Sequence, residues 1–352
     1  MANFIDYITA KAQALYYNEL LAAKSEKPYL GDELFPTQRK QGLNLEFIKG
    51  MKKGARVLPL SAFDAKVLKL SRYGYTTVSQ KMPFFKASLD IDEELRQKLL
   101  MLGESQTQYI QDIIRKIFND NQTLIEAAAV TRERMRMQMI TTGQIVMESN
   151  GQGYLYDYGL EDYQKVTATK SWSDPTADII GDIIEYQDTM VEKTGVKPTR
   201  LIMRTKVFRH LMKNDYIKNA LYVFGQGKVN VNENAVKTFL AENAGITSIA
   251  LYDKVYTDED EVTHFFIPDD VAVLIPEGNI GYTWFGTTPE EADLLGGATD
   301  AEVAIVDAGV AITTWVEKDP VRKVTKVSEI TLPSGENMDK IVIIDVTGGV
   351  SA

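Results

Sequence analysis

The spacing of apolar residues changes within the first forty positions. Phe4, Ile5, Ile8, Ala12, Leu15, Leu20 and Leu21 recur at helical intervals. Through Pro28, Gly31 and Pro36 the chain then turns polar and rich in turn formers, with too few apolar side chains to pack on itself. That half reads as an arm laid over another surface. LNLEFIKG (43–50) alternates apolar and polar positions as a half-buried strand does, and KGMKKGAR (49–56) is a charged, glycine-bearing reversal. YGYTTVSQKMPFFKASLDI (73–91) returns to β-type content, with Pro83 marking an edge or a bend. The pair predicts a long two-stranded excursion, and a lone hairpin needs a partner surface to be stable in water.

Helical periodicity dominates next. Asp90 and Glu93 have capping-box spacing ahead of ELRQKLLML, which Gly103 interrupts. Ser105 and Gln108 offer a second cap for a run reaching Thr141, just before Gly143. Ile110, Ile113, Ile114, Ile117, Phe118, Leu124, Ile125 and Ala128 share one face of it. An unbroken helix of about 37 residues would be roughly 55 Å long, a spar rather than an ordinary domain helix. In TRERMRMQM, Arg132, Arg134 and Arg136 alternate with Met135, Met137 and Met139, so both residue types scatter around the helix and predict contacts on several sides. Asn150-Gly151 between two β runs predicts a hairpin.

Residues 174–320 alternate helix and strand. A helix is expected from Asp174-Pro175 to about Lys193, with others over 206–214 and 234–242. Strands are expected at TRLIMRT, SIALYD, FFIPDD and VAVLIP, and Gly225, Gly227 and VNVNENA mark an exposed loop. The final stretch reads as two strands joined at Pro333-Ser334-Gly335.

Composition narrows what such a chain can do. At 352 residues it should hold two or three packed units, and 44% hydrophobic residues supply ample core. There is no cysteine, which excludes disulfides, thiolate metal sites and a cysteine nucleophile. A net charge of -10 argues against a broad basic surface that wraps nucleic acid. No apolar run approaches the roughly 20 residues of a membrane span. The N-terminus lacks the pattern of a secretion signal, so synthesis in the cytoplasm is expected.

Candidate chemistry is sparse. Asp258-Glu259-Asp260-Glu261 invites a divalent-cation reading but lacks the spaced ligands of a calcium loop, and its place between two β runs fits a solvated hairpin tip. Asp269-Asp270 follows Pro268 at a turn. His210 and His264, the two histidines, belong to no metal-ligand motif. Neither a complete phosphate loop nor a G-x-S-x-G elbow occurs. Two basic clusters, Lys49/Lys52/Lys53/Arg56 and Arg132/Arg134/Arg136, are candidates for contact between subunits, with DNA contact as a lesser possibility.

Several stretches, taken in order, resemble a major capsid protein of a tailed bacteriophage, in the lambda-type major capsid protein E family. They are TRERMRMQMITTGQIVM (131–147), GYLYDYGL (153–160), DPTADI (174–179), VYTDEDEVTHFFIPDDVAVLIP (255–276) and ITTWVEKDPVRKVTKVSEITLP (312–333). The resemblance implies an α+β, Hong-Kong-97-type capsid fold. Its expected parts are an N-terminal arm at 1–40, an extended β-hairpin loop at 41–90, a peripheral domain with a spine helix at 91–173 and 321–352, and an α/β axial domain at 174–320. The implied function is self-assembly into the hexamers and pentamers of an icosahedral shell around packaged double-stranded DNA.

The implied partners are other copies of the chain, a separate scaffolding protein, a portal protein, a decoration protein, and packaged DNA through non-specific contact. No membrane, cofactor, metal or catalytic residue is implied. The implied location is the virion, after assembly in the host bacterial cytoplasm. The chain offers no room for a fused scaffold before its first loop, which is why a separate one is expected. Some relatives crosslink lysine to asparagine, but no acceptor and glutamate match by motif, so no crosslink is expected here. Deleting residues 1–30 should leave folded subunits that cannot close a shell. Two rivals remain: an encapsulin-like compartment shell, and a carboxylate-dependent metal hydrolase built on the acidic turns.

Overall fold

The computed structural model describes residues 8–23, 29–50, 75–95, 97, 107–149, 152–221, 231–296 and 302–349. Contacts divide the chain into two units, each assembled from three segments. One comprises residues 1–45, 79–135 and 282–334, the other residues 46–78, 136–281 and 335–352.

The first unit is built on a six-stranded sheet. Its strands are β1 (Thr37–Arg39), β4 (Phe84–Ile91), β13 (Thr283–Phe285), β14 (Glu302–Val306), β15 (Val310–Lys318) and β16 (Val321–Pro333). The order is β1-β13-β16-β15-β14, and β4 also pairs with β16. The length of β16 explains this arrangement. Residues 323–330 pair antiparallel with β4, 321–328 with β15, and 331–333 with β13. Helix α1 (Ala10–Ala23) lies across β14 and β15, where Ala10 and Ala14 permit close approach and Tyr17 fills the remaining space. Leu124, Ile125 and Ala128 of the long helix complete this core with Phe285, Val306, Val310, Ile312 and Val327. Ile8, Ile91 and Ile117 form a smaller buried cluster.

In its described parts the arm lies on the first unit. Leu34, the last residue of the short helix α2 (Gly31–Leu34), and Phe35 after it are fully buried, and β1 pairs parallel with β13. Residues 8–17 and 29–40 pack into the first unit, which bears on the expectation that a chain lacking residues 1–30 still folds. Small alanines and two large apolar residues suffice because they dock on a sheet rather than on each other.

The long helix α3 spans Thr107–Thr142, 36 residues, and contributes residues 107–135 to the first unit and 136–142 to the second. Gly143 ends it at φ 79, a left-handed conformation that glycine adopts without strain. The expected start at Ser105 lies outside the described residues. Asp90, expected as a cap, is instead a residue of β4 opposite Val324; Asp92 Oδ1 accepts from the Leu95 amide at 2.8 Å in its place. Strands β2 (Asn44–Gly50) and β3 (Tyr75–Lys81) form a two-stranded sheet.

The second unit is built on a five-stranded sheet. Its strands are β7 (Lys165–Thr167), β8 (Arg200–Met203), β9 (Ser248–Leu251), β12 (Val271–Ile275) and β17 (Val342–Asp345), in the order β7-β17-β12-β8-β9. The helices that follow in sequence are α4 (Ile179–Thr194), α5 (Thr205–Lys213), α6 (Asp215–Leu221) and α7 (Glu233–Ala244). Their apolar faces join the sheet in one core, including Trp172, Ile183, Met190, Phe208, Leu240 and Leu274. Hairpins β5 (Gln144–Ser149)/β6 (Gln152–Asp157) and β10 (Val255–Thr257)/β11 (Thr263–Phe265) add two small sheets. Helix α8 (Pro289–Gly296) precedes β14 in the first unit.

Two local expectations change. Asp174-Pro175 does not open α4: the Asp174 carboxylate accepts from the Thr176 amide and hydroxyl, both at 2.8 Å, making a turn, and Asp178 caps the helix instead. FFIPDD is not a strand, since β11 ends at Phe265 and a turn follows. The last two strands form as expected but do not pair with each other, because β16 belongs to the six-stranded sheet and β17 to the five-stranded one. The expected loop around Gly225 and Gly227 lies outside the described residues.

Candidate functional site

Of the basic residues singled out in the sequence, Arg132 is the most constrained. It is 6% exposed on α3 and reaches two acidic partners within its own unit. Nη1 donates to Glu329 Oε2 on β16 at 2.5 Å, and Nη2 donates to Asp307 Oδ2 at 2.9 Å. Its guanidinium also lies 5.4 Å from the centre of the Phe285 ring. Burial pulls the Arg132 pKa down, and the two carboxylates more than reverse that, leaving it above its ordinary value. On the next residue, Glu133 Oε1 accepts from the Gly31 amide at 3.1 Å, which ties α2 to the long helix.

Arg136 is 1% exposed, while Arg134 is half-buried. Arg132 and Arg136, expected as candidates for contact between subunits, are thus both buried within the chain itself. This part of α3 is enclosed, with Met135, Met137 and Met139 at 1% exposure or less, and a guanidinium placed there must be neutralised from within. The expected contacts on several sides of the helix are present. Lys52, Lys53, Arg56 and the Lys49 side chain lie outside the described residues.

The acidic cluster Asp258–Glu261 forms the tip of the β10/β11 hairpin. Asp258 acts as the organiser: its carboxylate accepts from the Asp260 and Val262 amides at 3.0 and 2.8 Å and meets His264 Nε2 at 2.6 Å. The Val262 amide is the main cause of its lowered pKa. Among the described residues, no group of three or more histidine, aspartate or glutamate side chains is placed to hold a metal ion. His210 sits on α5, its pKa lowered by burial and by Lys213 and Lys206. No helix among the described residues is long and apolar enough to cross a membrane.

Sequence reasoning missed one charged cluster. Arg204, 8% exposed at the junction of β8 and α5, pairs with Asp253 and Asp269 and lies with its guanidinium 3.2 Å from the centre of the Phe265 ring. Lys206 reaches Asp269 at 2.6 Å. The cluster pins the base of the β10/β11 hairpin. The one sequence signal was Asp269-Asp270 directly before a fully apolar strand. Glu329 had a clearer signal, as a carboxylate inside a continuous apolar and small-residue run of β16. Residues 327–333 are all buried.

None of these groups forms a nucleophile with its base. What they do is fix a long helix, a sheet and a hairpin in place. A scaffold of this kind is what the comparisons with known proteins return. The model of the phage major capsid protein E family matches residues 18–346. A structure described as the capsid protein of a prophage from Escherichia coli CFT073 superposes with a TM-score of 0.61 at 19% identity, covering 96% of this chain and 99% of that one. A phage-related protein from Bordetella bronchiseptica RB50 gives a TM-score of 0.56 at 12% identity, covering 96% and 98%. No curated protein matches in sequence. The fold is α+β of the Hong-Kong-97 type, and the chain belongs to the phage major capsid protein E family.

Proposed function

We propose that this capsid protein builds its shell by a division of labour between a peripheral and an axial part, with residues 136–173 and 335–352 on the axial side and 282–320 on the peripheral side, the reverse of their placement expected from the sequence. The unit holding the six-stranded sheet and most of α3 takes the peripheral role. The unit holding the five-stranded sheet takes the axial role, at the centres of hexamers and pentamers. The β2–β3 sheet begins the extended loop, which reaches a neighbouring copy. Assembly runs in the host bacterial cytoplasm with a separate scaffolding protein and a portal protein. A decoration protein is added outside, and packaged double-stranded DNA is touched only non-specifically. The chain carries no catalytic step and needs no cofactor.

The observation that carries this reading is the family match from residue 18 to residue 346, which takes in the later part of the arm, the 36-residue helix and the last strand of each sheet. Stability of such a shell comes from many modest contacts summed by mass action. The test is negative-stain microscopy of the purified chain, expressed alone and with the product of its upstream gene. Closed shells that take up DNA when portal and packaging proteins are supplied support the reading. A compact monomer that turns over a small molecule, or shells that enclose an enzyme instead of DNA, would sink it.

A further inference from the structure

Strand β4 is under-covered for its place in the fold. It is a strand of a core sheet, yet six of its eight residues are exposed, including Phe84 at 41% and Leu89 at 39%. The other end of that sheet is different, because β14 is flanked by α1 and α8. Among the described residues β4 pairs with β16 alone.

The register shows which backbone groups have no partner among the described residues. Phe84 faces Ile330 and Ile91 faces Lys323, and one step beyond, Pro83 O accepts from the Thr331 amide. Hydrogen-bonded pairs alternate along an antiparallel ladder, so residues 85, 87, 89 and 91 turn their N–H and C=O groups to β16. The groups of Phe84, Lys86, Ser88 and Asp90 point away from the sheet. An edge of this kind is a template for another strand, and lysine on an edge normally blocks such pairing.

Here the same strand supplies the answering charge. An antiparallel pair of β4 strands centred on Lys86 or on Asp90 would set like charges opposite each other. Centred on Ser88, it sets each Lys86 opposite an Asp90 and each Leu89 opposite an Ala87, with all outward N–H and C=O groups in hydrogen-bonding register. Asp90 already accepts from Arg322 Nη1 at 3.0 Å, and Arg322 Nε meets Glu317. An incoming Lys86 would continue that alternating row of charges.

We propose that β4 pairs antiparallel with β4 of a second copy about a local two-fold axis at Ser88, joining two six-stranded sheets across a contact in the shell. An isologous contact of this kind needs only one self-complementary surface. The proposal rests on the capsid reading above and gives that reading one specific contact.

The chain has no cysteine, so single cysteines report without background. In assembled shells of the full chain, mild oxidation should convert Ser88→Cys subunits to covalent dimers, because facing positions in such a ladder lie within disulfide reach. Lys86→Cys alone should give none, and co-assembled Lys86→Cys and Asp90→Cys chains should give dimers. Hydrogen exchange tests the unaltered protein. The amides of 86, 88 and 90 should exchange rapidly in free subunits and become protected in shells, whereas those of 85, 87 and 89 are protected in both. Shells whose Ser88→Cys subunits stay monomeric overturn this pairing and leave the capsid reading intact, even if the outward amides become protected. Outward amides already protected in free subunits also overturn it, since the chain's own residues would then cover the edge. Failure of the unaltered chain to form shells under any condition removes the capsid reading and this contact together.

Discussion

Arg132 and Glu329 form a charge pair, 2.5 Å apart, at positions only 6% and 1% exposed, and their backbones are 197 residues apart in sequence. Removing one partner leaves the other buried with less opposing charge, Arg132 keeping Asp307 alone. Arg132→Ala or Glu329→Ala should each cost about 3–5 kcal/mol in urea denaturation of the free subunit. Replacing both with apolar side chains of similar volume should restore most of that loss. Equal losses in the single and double replacements would show that volume, not charge, matters at this site.

Gly335 should tolerate no side chain. A Cβ there would lie 2.6 Å from Met338 Cγ and 2.9 Å from both Met139 Cε and Tyr158 Cδ1. Gly335→Ala should destabilise the subunit by about 1–3 kcal/mol, read as a lower thermal midpoint. An unchanged midpoint would mean that Met139 and Met338 move aside freely.

Acid should weaken the turn before α4 over a defined range. A hydrogen bond from Lys170, helped by the amide and hydroxyl of Thr176, lowers the Asp174 pKa from its ordinary 3.8 to about 2. A carboxyl whose folded-state value is depressed contributes fully above its unfolded value, and the contribution fades as the pH falls through the folded one. The loss should therefore fall between 3.8 and about 2. An NMR titration of the Asp174 carboxyl should find its midpoint well below 3.8, and Lys170→Met should raise it.

The N-terminal segment should be needed for folding as well as for assembly. Ile8 is fully buried against Ile91 and Ile117, so Ile8→Ala should cost about 2–5 kcal/mol in chemical denaturation. Deleting residues 1–23 removes Ala10, Ala14 and Tyr17 from the core as well. The product should lose near-ultraviolet circular dichroism and cooperative melting. A truncated chain that melts as the full one does would restore the view of this segment as a detachable arm.

Local pattern and tertiary pairing differed in how far they could be read from the chain. The long helix was readable because its apolar face repeats over many turns and Gly143 stops it. The β5/β6 and β10/β11 hairpins were readable from their alternation and their acidic or Asn-Gly turns. Asp174 misled because an aspartate that can cap a helix can equally close a turn on Thr176, and only the surrounding packing decides. Asp90 misled for a related reason, since its strand wins backbone bonds from β16 that a cap could not match. The neutralisation of Arg132 could not be read locally at all. Its partners lie 175 and 197 residues away, and no periodicity links them.

The split between β16 and β17 at Ser334 and Gly335 bears on how the chain can be made. The six-stranded sheet needs β15 and β16, and the five-stranded sheet needs β17 between β7 and β12. Neither interior can close until β16 and β17 have left the ribosome, so folding of either unit during synthesis of the earlier strands is closed to it. A nascent chain stalled before residue 321 would show its greasy strands to every other nascent copy nearby. That interval is the vulnerable moment.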